Sequence, residues 1–462
     1  MKSFLANTWN RLRGTAKEPV PPEFAATVMH PAAGPPPPVS ETPKVDMGMA
    51  PAAIGARRPL ISASEGVVGF EFRVSSELRD RFRRKPNPAA QLAHAAAVLT
   101  SARLTAGSGR IGLARLPADW LCAKVDFRCE HGVMVALDRP TGNQTIAENA
   151  QGIEQGLLAL RAAGAKVGWP VEMTLSPARD FVLMRQGDST MSTVLASVEQ
   201  LPASLQGLPI LVTDVSHLED LELALGNSID YVCGAMVQRE QTAPRDALPL
   251  SPEARRIGLL LQQIVTGAET QAIVEQIKGD VGLSYRLLRR LKGADMAHLQ
   301  GCESIDQAVQ LLGRNELYRW LSILLLKSPG NRKIGLALHE VALWRAELLE
   351  LLAVQRKEAT PGQLFTLGLA SMLGPLLRIS LQEVVSTLNL NAQGQQALLE
   401  DTGPWAAYLQ ISRALETHTL DKSAGLTEAF GGTKVVSELS DQAWLWATAS
   451  VGQAKNDQPV PA

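Results

Sequence analysis

Residues 153–169, IEQGLLALRAAGAKVGW, place an amphipathic helix, a terminating glycine and a short apolar strand in immediate succession. Apolar residues recur at spacings of four and three in the helical part, and Gly164 ends the helix. The residues that follow, AKVGW (165–169), have the composition of a buried strand. Repetition of such a helix–strand unit along a chain predicts a parallel sheet or barrel with crossover helices.

The same unit recurs on both sides of this stretch. Further strands are predicted at GVVGFEFRV (66–74), RIGLARL (110–116), GVMVALD (132–138), DFVLMR (180–185), LPILVTDV (208–215) and IDYVCGAMV (229–237). Helices separate them, and Asn87-Pro88 provides a cap and first turn for one of these helices. The sequence therefore predicts an α/β barrel-like domain over 60–241. Because this span is short for such a barrel, the sequence leaves open whether a strand–helix unit is missing.

The segment before this domain is rich in proline and includes the run Pro35 to Pro38. Proline without interleaved apolar periodicity gives extended chain that cannot bury a core. We therefore predict a disordered N-terminal region over 1–59, with a spacer as its default role. The sequence does not decide whether the four consecutive prolines bind a partner.

The strands stop after Pro249, and helical periodicity continues to about residue 455. Ser251-Pro252-Glu253 has the pattern of a helix start. Ser304 is a predicted helix cap with Gln307 in the capping-box position, and Gly313 is a predicted helix stop. The helices differ too much from one another to be a solenoid repeat, so an all-α bundle is predicted over 250–455.

Composition excludes several classes of protein. Lys and Arg number 45 and Asp and Glu 46, so no overall charge attracts the chain to nucleic acid or an anionic membrane. No apolar run reaches the roughly 18–20 residues of a membrane span. The cysteines are scattered without a paired motif (Cys122, Cys129, Cys233 and Cys302). This spacing argues against a disulfide framework or structural zinc site and favours a reducing cytoplasm.

No catalytic, cofactor-binding or metal-binding residue is predicted. None of the seven histidines forms a metal-binding or triad motif, and no phosphate-binding loop or nucleophile elbow is present. Two basic clusters, Arg79–Lys85 and Arg286–Lys292, have the charge to meet phosphate. Solvated helix faces are the favoured interpretation of both, because no nucleic-acid module surrounds them.

The helical domain resembles the HDOD family, a regulatory relative of metal-dependent HD hydrolases. The resemblance rests on GDVGLSYRLLRRLKGAD (279–295) and CESIDQAVQLLGRNELYRWLSILLL (302–326). The matching positions are Asp280, Leu283, Ser284, Arg286, Leu287, Leu288, Ser304, Ile305, Ala308, Val309, Leu312, Gly313 and Trp320. Lys292-Gly293 departs from the usual Asn-Ser of the family. The resemblance implies a domain without the HD metal ligands that acts through interactions.

The barrel-like domain resembles a degenerate EAL domain, the barrel that hydrolyses cyclic di-GMP with two divalent metals in active relatives. GVVGFEFR is similar to the opening motif of that family, with Glu71 and Arg73 in the Glu and Arg positions. Most other functional positions differ. Arg115 lies near the ligand Asn position, Gly168-Trp169-Pro170 replaces the Asp-Asp-Phe turn, Leu183 the Lys, Thr213 and Ser216 two Glu, and Cys233 the Gln. Asp138 is a loose match for one acidic ligand.

The resemblance therefore implies a protein that does not hydrolyse cyclic di-GMP, because one remaining Glu cannot hold two cations. We predict a non-enzymatic cytoplasmic regulatory protein that binds protein partners or itself, in a pathway linked to cyclic di-GMP, motility or stress. Two alternatives stay open at this point. One is a receptor that binds cyclic di-GMP without hydrolysis, and the other is a regulator that binds nucleic acid, although neither ligand is expected.

Overall fold

The computed structural model describes residues 57–64, 66–122, 131–141, 146–176, 178–237, 251–291, 304–326, 334–388, 390–417 and 419–456. Residues 1–56 of the predicted disordered N-terminal region are not among the described residues. Also outside the described residues are Cys129, Cys302 and Lys292-Gly293.

Eight strands close into a barrel in their sequence order. They are β1 (Arg58–Ser62), β2 (Gly66–Arg73), β3 (Ile111–Pro117), β4 (Val133–Asp138), β5 (Lys166–Trp169), β6 (Phe181–Arg185), β7 (Ile210–Val215) and β8 (Tyr231–Gly234). β1 is antiparallel to both of its neighbours, β2 and β8, and all other pairs are parallel. The predicted barrel-like fold is confirmed, and each strand predicted from the sequence falls on one of β2 to β8.

The barrel is closed by eight strands, so no strand is missing. The possibility that a strand–helix unit had been lost is therefore wrong as far as the strand is concerned. β1 was missed because it is short and begins with Arg58-Pro59, inside the segment predicted to be a linker. The short span reflects few crossover helices instead. Among the described residues, only the 3₁₀ turn Ala118–Cys122 lies between β3 and β4, and no helix lies between β5 and β6.

The helices of the barrel domain cover its outer surface. They are α1 (Ser76–Arg84), α2 (Pro88–Gly107), α3 (Ile146–Ala162), α4 (Met191–Glu199) and α5 (Leu218–Gly226). Alternate strand residues point inward and form a separate small core, as the two-residue repeat of a strand requires. That inner core consists of Leu60, Leu113, Met134, Ala136, Phe181, Leu183, Leu211 and Cys233.

The described residues from 251 onward form an all-α bundle, as predicted. Its helices are α6 (Pro252–Val265), α7 (Thr270–Lys278), α8 (Val281–Leu291), α9 (Ile305–Leu326), α10 (Gly335–Gln355), α11 (Pro361–Leu377), α12 (Leu381–Leu388), α13 (Ala392–Gln395), α14 (Ala406–Thr417), α15 (Ala424–Glu428) and α16 (Thr433–Asn456). α10 is buried along most of its length and packs against α11 and α16. No helix among these described segments is long and apolar enough to cross a membrane.

The predicted helix boundaries of the bundle are confirmed by their hydrogen bonds. The Ser251 hydroxyl accepts a bond from the Ala254 amide at 3.1 Å, and Ser304 accepts one from the Gln307 amide at 3.2 Å. Gly313 has φ 70°, a left-handed value that interrupts α9 between its two helical segments. The glycine therefore bends this helix where a stop was predicted.

A close backbone approach fixes α2 against the barrel, and Gly112 in β3 permits it. A Cβ atom at this position would lie 1.9 Å from the carbonyl oxygen of Ala102 in α2. Because the clash would be with a backbone atom, a change of side-chain rotamer could not relieve it. The whole of α2 would have to move away from β3.

We expect Gly112→Ala to lower the free energy of unfolding by about 2–3 kcal/mol or more, because it overpacks this helix–strand contact. Gly107→Ala is the matched control, since a Cβ there meets nothing within 4 Å. It should leave stability unchanged or raise it by about 0.5–1 kcal/mol through helix propensity. Urea denaturation of the two variants measures the difference, and equal stabilities would contradict the close approach.

Candidate functional site

Charged side chains fill one end of the barrel, at the carboxyl ends of the parallel strands. They come from six strands and point into the barrel or over its mouth. The set comprises Arg58 of β1, Glu71 and Arg73 of β2, Arg115 of β3, Asp138 of β4, Arg185 of β6 and Asp214 of β7. We call these seven residues the mouth cluster. In barrels of this kind the carboxyl ends of the strands are the usual place for a functional site.

Arg115 lies at the centre of the mouth cluster, and its side chain is fully buried. One of its nitrogens donates to Glu71 at 3.1 Å, and two donate to the same oxygen of Asp138 at 3.1 and 2.9 Å. Two further bonds, of 3.1 and 2.8 Å, reach the two carboxylate oxygens of Asp214. A single guanidinium thus meets three carboxylates from three strands. Its planar fork of donors suits such a convergence.

The other arginines complete the neutralisation of these carboxylates. Arg58 donates to the second oxygen of Glu71 at 3.0 Å, in a pair that is almost wholly buried. Arg73 and Arg185 donate to Asp214 at 2.7 and 2.9 Å. Arg185 is 46% exposed, whereas Arg115 and Glu71 are inaccessible. The mouth cluster is therefore dry at its base and open to solvent at its rim.

Asp214 reaches the mouth cluster because β7 is irregular at this point. The pairing of β7 with β8 shifts register between Val212 and Val215, and Asp214 has φ 57°. In a regular strand Asp214 would point outward, since its neighbour Thr213 is inward-facing and buried. A non-glycine residue in this conformation is strained, and its hydrogen bonds to arginine hold it there.

The surrounding charges fix the ionisation of the cluster. Burial acts to raise the pKa of Asp214, but Arg115, Arg73 and Arg58 outweigh it and hold that pKa well below its ordinary value. Burial opposes the charge of Arg115, yet Asp138, Asp214 and Glu71 raise its pKa well above the ordinary value. The arginine and the aspartate therefore stay charged as a set.

Three of the positions at which the sequence was expected to differ from active EAL domains hold buried side chains, those of Leu183, Thr213 and Cys233. Leu183 and Cys233 lie in the inner barrel core, and burial raises the pKa of the Cys233 thiol well above its ordinary value. Thr213 donates its hydroxyl to the backbone oxygen of Met184 at 3.3 Å. Gly168 lies against the ring of Phe181, and Ser216 is exposed.

Such a donor set does not fit two divalent metals. Each carboxylate in the mouth cluster already accepts hydrogen bonds from arginine, and the central position holds a guanidinium. Divalent cations of this kind need several oxygen ligands per ion. Within the described residues, no group of three or more His, Cys, Asp or Glu side chains is arranged to hold a metal ion.

The remaining candidates from the sequence do not form a second site. Arg79 lies 3.5 Å from Asp138 at the rim of the mouth, and Arg286 pairs with Glu253 at 2.6 Å on the bundle. The two basic clusters thus belong to different domains. Among the described histidines, His94 packs on Phe82 and His217 lies 3.9 Å from Asp220.

The second domain matches a known family. The HDOD domain model matches residues 250–403, which cover α6 to α12 and reach beyond α13. Residues 250–403 are an HDOD domain. The order predicted from the sequence, a barrel-like domain followed by an HDOD domain, is thereby confirmed.

Two curated proteins and several solved structures are similar to parts of the chain. The uncharacterized protein YuxH of Bacillus subtilis is 34% identical over 157 residues, which are 33% of this chain and 38% of that protein. The cyclic di-GMP phosphodiesterase CdgJ of Vibrio cholerae is 29% identical over 138 residues, 30% of this chain and 32% of that protein. The matches thus span only about a third of the length of each relative, 38% of YuxH and 32% of CdgJ.

An EAL domain protein from Listeria monocytogenes is among the similar solved structures. The similarity covers 39% of this chain and 85% of that one, with 12% identity and a TM-score of 0.30.

We expect Arg115→Asn to lower the free energy of unfolding by about 3–5 kcal/mol, because three buried carboxylates lose their shared cation. Millimolar Ca²⁺ or Mn²⁺ should restore part of the lost melting temperature in this variant and leave the wild type unchanged, since oxygen ligands then face an open position. Thermal denaturation with and without the ions measures both effects.

Arg185→Asn is the control for this prediction, because the Arg185 side chain belongs to the same cluster but is half exposed. Its melting temperature should change little and should not respond to the ions. An Arg115→Asn variant as stable as the wild type would show that the guanidinium does not neutralise the cluster.

Stability should depend on pH through Asp214. Since the folded-state pKa of Asp214 is depressed, its contribution is complete above the unfolded-state pKa of about 3.9 and is lost as the pH falls below it. We expect the unfolding free energy of the wild type to fall faster than that of Asp214→Asn between pH 5 and pH 3, by up to about 1.4 kcal/mol per pH unit. Urea titrations at each pH give the two slopes, and parallel slopes would refute the prediction.

Proposed function

We propose that the chain is a regulatory protein of cyclic di-GMP signalling that does not hydrolyse the nucleotide and acts by binding protein partners. The observation that carries this proposal is the buried Arg115 guanidinium between Glu71, Asp138 and Asp214. Hydrolysis by metal-activated water needs cations with open coordination positions, and here the carboxylates are committed to arginine. A similar protein, CdgJ, is named a cyclic di-GMP phosphodiesterase, which supports the pathway but not the activity.

The HDOD domain supports the second half of the proposal. Its helices bury the apolar faces formed by Leu283, Leu287 and Leu291 of α8, and Ser304 caps α9. The residues that match the HDOD family are thus mainly core and cap residues. A bundle of this kind offers surface for partners, and action through protein contacts is the function we assign to it. A cytoplasmic location remains a prediction from the scattered cysteines.

The decisive measurement is turnover of cyclic di-GMP by the purified full-length chain with added Mg²⁺ or Mn²⁺. We expect no product above a metal-free control, while an active phosphodiesterase of the EAL class assayed in parallel gives complete conversion. Metal-dependent turnover that disappears in Glu71→Gln would overturn the proposal, because contaminating activity would not depend on Glu71.

A second candidate function is that of a receptor that binds cyclic di-GMP intact. Arginines outnumber carboxylates at the mouth, and Arg73, Arg79 and Arg185 retain partial exposure at its rim. Such a surplus of positive charge favours a phosphate ligand. Calorimetry with cyclic di-GMP in metal-free buffer separates the two functions. Binding heat that is lost in Arg73→Ala and Arg185→Ala would favour the receptor, and absence of heat would favour protein partners alone.

A further inference from the structure

The strand that carries Glu71 also carries the contact between the barrel and the helical bundle. Glu71 points into the barrel, and its neighbours Phe70 and Phe72 point outward and are buried. The Phe70 ring meets Trp444 of α16 edge to face, with centroids 4.9 Å apart. Trp444 in turn stacks on Trp344 of α10 at 4.9 Å. A displacement of β2 therefore moves both the mouth cluster and this aromatic contact.

Strand β1 repeats the arrangement with charged side chains. Arg58 points inward to Glu71, and Arg57 on the opposite side forms a 2.8 Å ion pair with Asp441 of α16. The Arg57 guanidinium also lies 5.3 Å from the ring centre of Phe70, within cation–π range. Two consecutive arginines thus connect the mouth cluster to one helix of the bundle.

A third contact fixes the start of β3 to the bundle. Arg110 pairs with Glu340 of α10 at 2.8 Å and donates to the backbone oxygen of Val67 in β2 at 3.1 Å. Glu340 also accepts a hydrogen bond from Thr448 of α16 at 3.0 Å. α10 and α16 are therefore tied to β2 through one partly exposed arginine.

The interface leaves room for α16 to move. A groove of about 550 Å³ lies between α2 and α16. Phe70, Phe72 and Trp444 line it, with Leu104 and Leu445 exposed along its walls. The indole nitrogen of Trp444 is buried, and no described residue forms a hydrogen bond with it. An incompletely packed contact of this kind can open at lower cost than a close-packed core.

We propose that β1 and β2 couple the barrel mouth to the helical bundle, so that breaking the Arg58–Glu71 pair loosens α16 from the barrel. The coupling is a regulatory device that adds to the proposed function and does not depend on whether nucleotide is hydrolysed. Binding at the mouth that draws Arg58 away from Glu71 would be transmitted along β1 to Arg57 and along β2 to Phe70. The output is release of the α16 face that meets the barrel.

Amide hydrogen exchange of the full-length chain tests the coupling from the mouth to the helix. Glu71→Gln keeps the side-chain shape and removes the charge nearest to Arg58, which then retains only its longer 3.4 Å contact with Asp214. We expect the α16 amides over 433–448 to exchange roughly tenfold faster in this variant. Asp138→Asn removes another carboxylate of the mouth cluster, but from β4, which packs against β3, β5 and α2. It should leave the α16 rates within about twofold of the wild type.

Amides of α11 serve as the internal reference, because this helix packs against α10 within the bundle. A general loss of stability would speed exchange in α11 and α16 together. The quantity compared is the ratio of the exchange rate in α16 to that in α11. The proposal would be overturned if Glu71→Gln left this ratio unchanged, or if Asp138→Asn changed it equally.

The reverse experiment uses Cys233, whose strand β8 pairs with β1 at Leu60. Coupling between two sites is reciprocal, so loosening the helix should open the barrel. We expect Asp441→Asn to raise the rate of Cys233 alkylation, followed by peptide mass spectrometry, roughly threefold to tenfold. Glu438→Gln is the matched control on the same helix, with similar exposure and no ion pair to the barrel among the described residues. Equal rates in the two variants would refute the coupling.

Discussion

The buried guanidinium of Arg115 is the constraint on which the barrel depends. Glu71, Asp138 and Asp214 come from three strands and would repel one another in a space from which water is excluded. One side chain with five donors in a plane meets all three, and it does so from a fourth strand. The cation is thus part of the chain and cannot dissociate. Removal of Arg115 would leave Glu71 buried with a weaker neutralising charge, whereas removal of the exposed Arg185 would not.

The mouth cluster also stabilises a barrel that has short strands and few crossover helices among its described residues. β5 and β8 have four residues each, and the described residues contain no α-helix between β3 and β4 or between β5 and β6. Few crossover helices leave less apolar surface to hold the strands at the mouth. Hydrogen-bonded ion pairs from β1, β2, β3, β4, β6 and β7 cross-link that end instead. The antiparallel β1 is linked in this way through Arg58, which pairs with Glu71 of β2.

The sequence predicted the elements whose patterns are local. The strand patterns of the sequence predicted β2 to β8. Ser251 and Ser304 predicted helix starts, and the structure confirms both. β1 was not predicted because Pro59 and the preceding prolines are typical of a linker. This strand is recognised only from its pairing with β2 and β8. The role of Asp214 was not predicted for a different reason. A register shift in β7 turns its side chain inward, and no residue type in the sequence predicts such a shift. Arg115 was expected only near the position of a ligand Asn, and its contacts with three carboxylates from other strands were not predicted.

The gradient of exposure through the mouth cluster determines how a partner or ligand could act on it. An apolar plug would fill the barrel with less desolvation cost than four arginines, so stability alone does not account for the ionic arrangement. Arg185 and Arg73 at the rim can exchange Asp214 for another anion without uncovering Glu71, which lies beneath them. Arg58 lies 3.0 Å from Glu71 and 3.4 Å from Asp214, so loss of Asp214 removes only the longer of its two contacts. A small anion at the rim would therefore leave the Arg58–Glu71 pair in place, and a signal through β1 and β2 requires a ligand large enough to reach the base.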